Sequence, residues 1–198
     1  MNKKILFPFI ALCLIWGSTW YFITVSVFEY ELPPIYAVGI RFLPSGLLFL
    51  LIFLLRGESI PINKESVKVY LSFSLLNFSL SYGITYNEIS KGLESSISAV
   101  IWGLFPIITS IMAHFMIYHD PDERLTKNKL IALATGFIGL FIISFSGDMD
   151  KSLGIGFLIF AIFAAAYPSV LYKKNQKVVN HYQMNACLLY TSPSPRDS

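Results

Sequence analysis

The sequence predicts an all-α protein, a polytopic bundle of transmembrane helices, and three observations carry that prediction. Hydrophobic residues fill 55% of the 198 positions and charged residues 14%, against about 25% charge in a typical soluble domain. The apolar residues fall into runs close to the roughly 20 residues that a helix needs to cross a hydrocarbon core. The charges collect in the short stretches between those runs. A net charge of +3 spread in this way speaks of membrane topology and not of nucleic acid.

Six apolar runs can be drawn, over about 5–27, 35–55, 67–87, 95–118, 130–145 and 153–172. The first follows Asn2-Lys3-Lys4, as a signal peptide would. Its apolar stretch is longer than a signal core and lacks a small-x-small cleavage site, so it reads as an uncleaved anchor helix. Near its middle, Thr19 and Trp20 stand three and four residues after Trp16, on one helical face. Tryptophan usually sits at the membrane–water interface. Two in mid-span therefore face protein, either to hold a ligand or to pack a core.

The Pro33-Pro34 turn opens the second run, where Arg41 is the one charge well inside any run. It lies about 10 Å along the helix from Pro34. An intramembrane arginine is a functional-site candidate by default; it either turns inward or reaches outward to Glu29 or Glu31. The third run carries a stripe of Ser74, Asn77, Ser81, Thr85 and Glu88 at spacings of 3, 4, 4 and 3. The fourth carries Ser95, Ser98, Trp102, Pro106, Thr109 and Ala113 at 3, 4, 4, 3 and 4. Lipid cannot satisfy such a stripe, so each must turn toward protein or water. Two polar faces on neighbouring helices build a polar cleft, or else join helices by hydrogen bonds. Pro106 would leave one carbonyl of its helix free in mid-membrane.

The fifth run offers small residues, Ala132, Gly136 and Gly139, and the sixth Ala161, Ala165 and Ser169 beside Tyr167-Pro168. Both read as close-packing faces, the sixth with a kink. His114, His119 and His181 stand apart, Cys13 lies in the first run and Cys187 near the end. No metal cluster, disulfide framework, Ser/His/Asp set or carboxylate pair emerges. The expectation is a protein without catalytic residues, metal or cofactor, and not an enzyme.

These motifs resemble the EamA family of the drug/metabolite transporter superfamily. Leu14-Ile15-Trp16-Gly17-Ser18-Thr19-Trp20 is similar to its opening motif, and Pro33-Pro34 with Arg41-Phe42 to its second helix. The stretch from Ser95 through Pro106, then Glu123-Arg124-Leu125-Thr126, then Gly136-Phe137-Ile138-Gly139 continues the match. The Glu-Arg-Leu-Thr turn with glycines in the next helix is its most specific piece, and the resemblance spans roughly 5–182. It implies ten helices in two five-helix repeats of opposite orientation, with a substrate site near the midplane. On that pattern 1–146 is the first repeat and 147–182 the start of the second, so one repeat plus one helix is present. Residues 187–198 resemble an in-frame translation of a transposase-type sequencing adapter and are expected to be non-native; prolines and charges there stop a seventh run.

The expected function is movement of a small organic metabolite or drug-like solute across the cytoplasmic (inner) membrane by alternating access. The substrate-binding candidates are Trp16, Thr19, Trp20, Arg41, Asn77, Ser81, Ser98, Trp102 and Thr109. Their aromatic faces, hydroxyls and amide suit an uncharged or zwitterionic solute, and Arg41 holds a carboxylate if it turns inward. The expected partners are that solute and the lipid bilayer, with no nucleic acid; the oligomeric state stays open. The alternative is a non-transporting assembly subunit whose polar faces are packing contacts.

The loop cations set an orientation. Lys3, Lys4, Arg56, Lys64, Lys68, Arg124, Lys127, Lys129, Lys173, Lys174 and Lys177 fall on one side, against Lys91 and Lys151 on the other. Eleven against two places the N-terminus in the cytoplasm. In a cysteine-free background, an impermeant thiol reagent on intact cells should label a cysteine at position 151 and spare one at 127. The reverse pattern overturns the orientation.

Overall fold

The computed structural model describes residues 3–55, 63–117, 125–144 and 149–175. The suspect tail, Cys187, His119, His181 and the loop cations Arg56, Arg124 and Lys177 lie outside them. Among the described residues there is helix and no strand. Helices occupy all six apolar runs, as α1 Lys3–Thr24, α2 Pro34–Leu55, α3 Lys64–Ser72, α4 Tyr82–Ser90, α5 Ser95–Trp102, α6 Phe105–Met116, α7 Lys127–Ser144 and α8 Met149–Lys174. Three spans are long and apolar enough to cross a membrane by length and composition, Leu6–Glu29, Ser95–Met116 and Ser152–Lys174, with Pro34–Leu48 a shorter apolar stretch. The third run, rich in serine and asparagine, is less apolar than these.

Three of the runs depart from regular helix, and those in the third and fourth matter for the site. Between α3 and α4 the chain winds through wide, π-type turns over Phe73–Ser81, and α1 ends in a similar segment over Val25–Glu29. The fourth run is broken at Gly103-Leu104 into α5 and α6. The backbone passes so tightly there that a Cβ on Gly103 would sit 2.9 Å from the Val100 carbonyl oxygen. Pro106 then falls in the first turn of α6, where its missing N–H would have had no partner anyway. The continuous helix expected over this run is instead two helices, with Pro106 at the start of the second.

Local sequence explains the other ends. Asn63 caps α3, its side-chain oxygen accepting from the Ser66 N–H at 2.8 Å. Gly92, at φ 101°, ends α4. The Leu93 N–H donates to the Glu88 carbonyl at 3.1 Å and the Gly92 N–H to Ile89 at 3.0 Å, the paired bonds of a Schellman close. Thr126 starts α7, accepting weakly from the Lys129 N–H at 3.4 Å, while His114 of α6 accepts from the Leu125 N–H at 3.3 Å.

The centre of the bundle is α8. It packs against the wide-turn segment, α4, α5 and α6, and its buried residues Ile155, Leu158, Ile162 and Ala166 join Leu93, Ile101, Leu104 and Ile108 in one core cluster. Ala161 and Ala165 are buried as well, so small side chains let neighbouring helices approach closely. In lipid that approach counts for more than apolarity, since hydrocarbon tails solvate leucine as well as a protein core does. Pro168 is buried within α8 without ending it. A second cluster, Ile23, Val27, Ala37, Val38, Tyr86 and Ile89, joins α1 and α2 to α4.

At the edge, α7 packs on α5, α6 and α8. A Cβ on Gly136 would meet Ile107 Cδ1 at 2.9 Å and Leu104 Cδ2 at 3.1 Å, whereas nothing lies within 4 Å of one on Gly139. Gly136→Leu should therefore lower stability by about 1–3 kcal/mol through overpacking, and Gly139→Leu should stay near wild type. Melting temperatures of the two variants in detergent check this; equal losses would remove Gly136 from the interface.

Candidate functional site

Four helices bring aromatic and polar side chains to one small cavity. Trp16, Thr19, Trp20 and Ile23 come from α1, Arg41 from α2, Tyr82 and Thr85 from α4 and Trp102 from α5. The cavity holds about 40 Å³, room for a water or two. A wider groove of about 400 Å³ runs beside it between α1 and α2, past Ser18, Phe22, Ser26, Leu32 and Ala37. Thr19 and Arg41 line both spaces.

Two hydrogen bonds cross between helices at this site. Trp102 Nε1 donates to Thr85 Oγ1 at 3.2 Å, and Arg41 donates through Nη2 to Thr19 Oγ1 at 3.1 Å. Each threonine is held by its own helix. Thr85 donates to the Ser81 carbonyl and Thr19 to the Ile15 carbonyl, both at 2.9 Å. A hydroxyl has one proton and two lone pairs. With the proton committed to the helix backbone, a lone pair is aimed at the incoming donor. The same bond that satisfies a membrane threonine thus fixes its acceptor direction.

Arg41 turns inward. Its Nη1 is buried and has no hydrogen-bond partner, its guanidinium carbon stands 5.5 Å from the Phe42 ring centre, and Glu29 and Glu31 remain exposed. Among the described residues the ion pair is Lys91 with Glu88, at 2.8 Å, and no carboxylate reaches Arg41. Aromatic rings build the wall behind it. Phe42 meets Phe78 and Tyr82 edge-on at 4.8 Å, and Tyr82, Trp102 and Phe105 follow at 5.9 and 6.0 Å.

Of the nine candidates read from the sequence, Trp16, Thr19, Trp20, Arg41 and Trp102 meet at this cavity. The other four lie elsewhere. Asn77 is half-buried in the wide-turn segment. Ser81 is buried with its Oγ unpartnered. Ser98 is buried and donates to the Glu94 carbonyl, and Thr109 to that of Phe105. The separation has a simple cause. One added residue rotates a helical face by about 100°, so the wide turns part Asn77 from Thr85, and the Gly103-Leu104 break parts Trp102 from Thr109. Thr85 was visible in the third-run stripe, four residues after Ser81. Tyr82 and Ile23 carried no such signal. Among the described residues no group of three or more His, Cys, Asp or Glu side chains is gathered to hold a metal.

The EamA-like transporter family matches this sequence over residues 3–145. The chain belongs to that family. It is 31% identical over 191 residues to the uncharacterized transporter YoaV of Bacillus subtilis, covering 92% of this chain and 62% of that protein. It is 27% identical over 140 residues to the uncharacterized inner membrane transporter YedA of Escherichia coli K12, covering 71% of this chain and 43% of that one. An uncharacterized transporter of Buchnera aphidicola is 30% identical over 183 residues, covering 89% and 57%. The chain spans less than two thirds of the length of these curated relatives. No solved structure matches. As an EamA-like chain with several apolar helices, it is a multi-pass membrane protein.

The Trp102–Thr85 bond is open to measurement. A double-mutant cycle of Trp102→Phe and Thr85→Val should give a coupling of about 0.6 kcal/mol, and at most about 1.7, the range for hydrogen bonds between membrane helices. Coupling indistinguishable from zero would mean that the two side chains do not hold each other.

Proposed function

We propose that this EamA-like chain forms part of a transporter of the cytoplasmic membrane that moves a small organic solute by alternating access, with the cavity of Trp16, Trp20, Trp102, Thr19, Thr85 and Arg41 as its binding site. The observation that supports this most is the convergence of four helices, with a charged group and an aromatic wall, on one space in a membrane bundle. Polar and charged groups held inside such a bundle mark ligand pathways. The relatives named as transporters point the same way. On this reading the domain division at residue 146 separates two repeats, and the N-terminus is cytoplasmic.

The hydroxyls speak against the assembly-subunit alternative. If the stripes were glue, serine and threonine would bond across helices. Ser98, Thr109 and Ser169 instead donate to carbonyls of their own helices. The bond that does join the two stripes, Trp102 to Thr85, lies at the cavity itself. The mechanism needs no covalent chemistry: aromatic faces and hydroxyls bind the solute, and rocking of helices about the site exposes it to each side in turn.

The test pairs stability with flux. Trp16 is 45% exposed, so Trp16→Ala should barely change the melting temperature. In reconstituted vesicles it should still lower uptake several-fold, since an aromatic contact is worth about 0.5–1.5 kcal/mol beyond its buried area. Asn77→Ala, off the cavity, should leave uptake near wild type. A panel of labelled neutral, zwitterionic and anionic solutes supplies the assay. Absence of flux for every class, or equal effects of the two substitutions, would sink the assignment.

A further inference from the structure

We infer that the solute this site selects is an organic acid, and that Arg41 is the residue that selects it, by exchanging Thr19 for a carboxylate. The inference rests on the transport-site reading above and narrows it to a substrate class. Arg41 stands between the two spaces of the site, since Thr19 and Arg41 line both the wide groove and the small cavity. Their 3.1 Å bond is therefore a partition. The groove is large enough for a small organic molecule, and the inner cavity, as it stands, is not.

The guanidinium is also incompletely answered. One terminal nitrogen is spent on a neutral hydroxyl, and the other is buried with no acceptor at all. Among the described residues no carboxylate lies within ion-pair range of it, and the buried Glu88 is occupied by Lys91 and Asn87. A planar fork with two donors on one edge matches a carboxylate in shape as well as charge. Such a ligand satisfies Nη1, displaces the weaker acceptor Thr19 from Nη2, and opens the partition in the same step. Beyond Arg41 and Thr19 the inner side is lined by Trp16, Trp20, Trp102, Ile23, Tyr82 and Thr85, rings and an aliphatic chain with two hydroxyls and no second charged group. With no counter-charge for a second ionised group, the body of the acid is uncharged and largely apolar or aromatic.

The chain provides its own reporter. It has three tryptophans, and all of them line the inner cavity. The probe pair is 3-phenylpropionate and its amide, which share a shape and differ in charge. Titrated into the purified chain in lipid nanodiscs, the acid should quench or shift tryptophan emission with affinity about tenfold or more above the amide, the scale of a charge-assisted hydrogen bond. Arg41→Gln should erase the preference. Arg41→Lys, which keeps the charge and loses the fork, should retain part of it and cover the case in which the glutamine variant does not fold. Thr19→Val removes the competing acceptor, and the acid should bind this variant at least as tightly as wild type. Inorganic phosphate at the same concentration should not compete.

Equal affinities for acid and amide, a preference that survives Arg41→Gln, or full competition by phosphate (as a headgroup site for lipid would show) would each overturn the inference. Vesicle uptake of the same two probes separates it from the reading beneath it. If the amide moves as fast as the acid, transport stands and acid selection falls. If the binding preference holds while neither probe moves, acid selection stands and the transport reading falls.

Discussion

A polar group inside hydrocarbon has no water to turn to, and each one left unanswered costs several kcal/mol. The form of this bundle follows from that constraint. Backbone groups are satisfied by helix, and most hydroxyls by the carbonyl three or four residues back, as with Ser18, Thr24, Ser45, Thr109 and Ser169. Two of the places where regular bonding lapses lie against other helices. The wide turns of Phe73–Ser81 lie against α8, and the break at Gly103-Leu104 lies between the buried Ile101 and Ile108. Irregular backbone at membrane depth is tolerated only in such positions. The small cavity sits between them, with Tyr82 just after the one and Trp102 just before the other.

The helix α8 shapes the cavity without entering it. It packs on α4 and α5, which carry Thr85 and Trp102, and so fixes the distance over which those two bond. The opposite wall depends on other pairings, α1 on α5 and α2 on α4. Alanines on α8 set one approach and larger residues, Ile23, Val38, Tyr86 and Ile89, set the other. The second cluster therefore spans the site, tying α1 and α2 to α4 of the facing wall.

The buried Glu88 and the half-buried Arg41 are treated differently. Glu88 is 7% exposed at its side chain but is bonded by Lys91 and Asn87, and Lys91 is 58% exposed. A pair so open to solvent adds little stability, yet it keeps the carboxylate answered next to the Schellman turn that ends α4. Arg41 has a hydroxyl and a ring face but no counter-ion within reach among the described residues. Placing an arginine at mid-membrane costs about 2.5–3.5 kcal/mol on insertion scales.

The sequence by itself determined the helical class, the places of the six helices and the family, because those depend on composition, on run length and on motifs that neighbours in the chain spell out. It also placed Trp16, Thr19 and Trp20 on one face, since α1 is regular helix there and spacing alone sets facing. The reading weakened where regularity did. A 3-4 spacing assumes 3.6 residues per turn, and the wide turns before Tyr82 and the gap after Trp102 reset the face beyond them. Whether Arg41 turned inward, whether Thr85 met Trp102 and whether hydroxyls bonded their own helix or the next were decided by tertiary structure alone. Those outcomes depend on how closely α8 brings α4 and α5 together and how α1 and α2 pack on them, and those distances are set by side chains far apart in the chain.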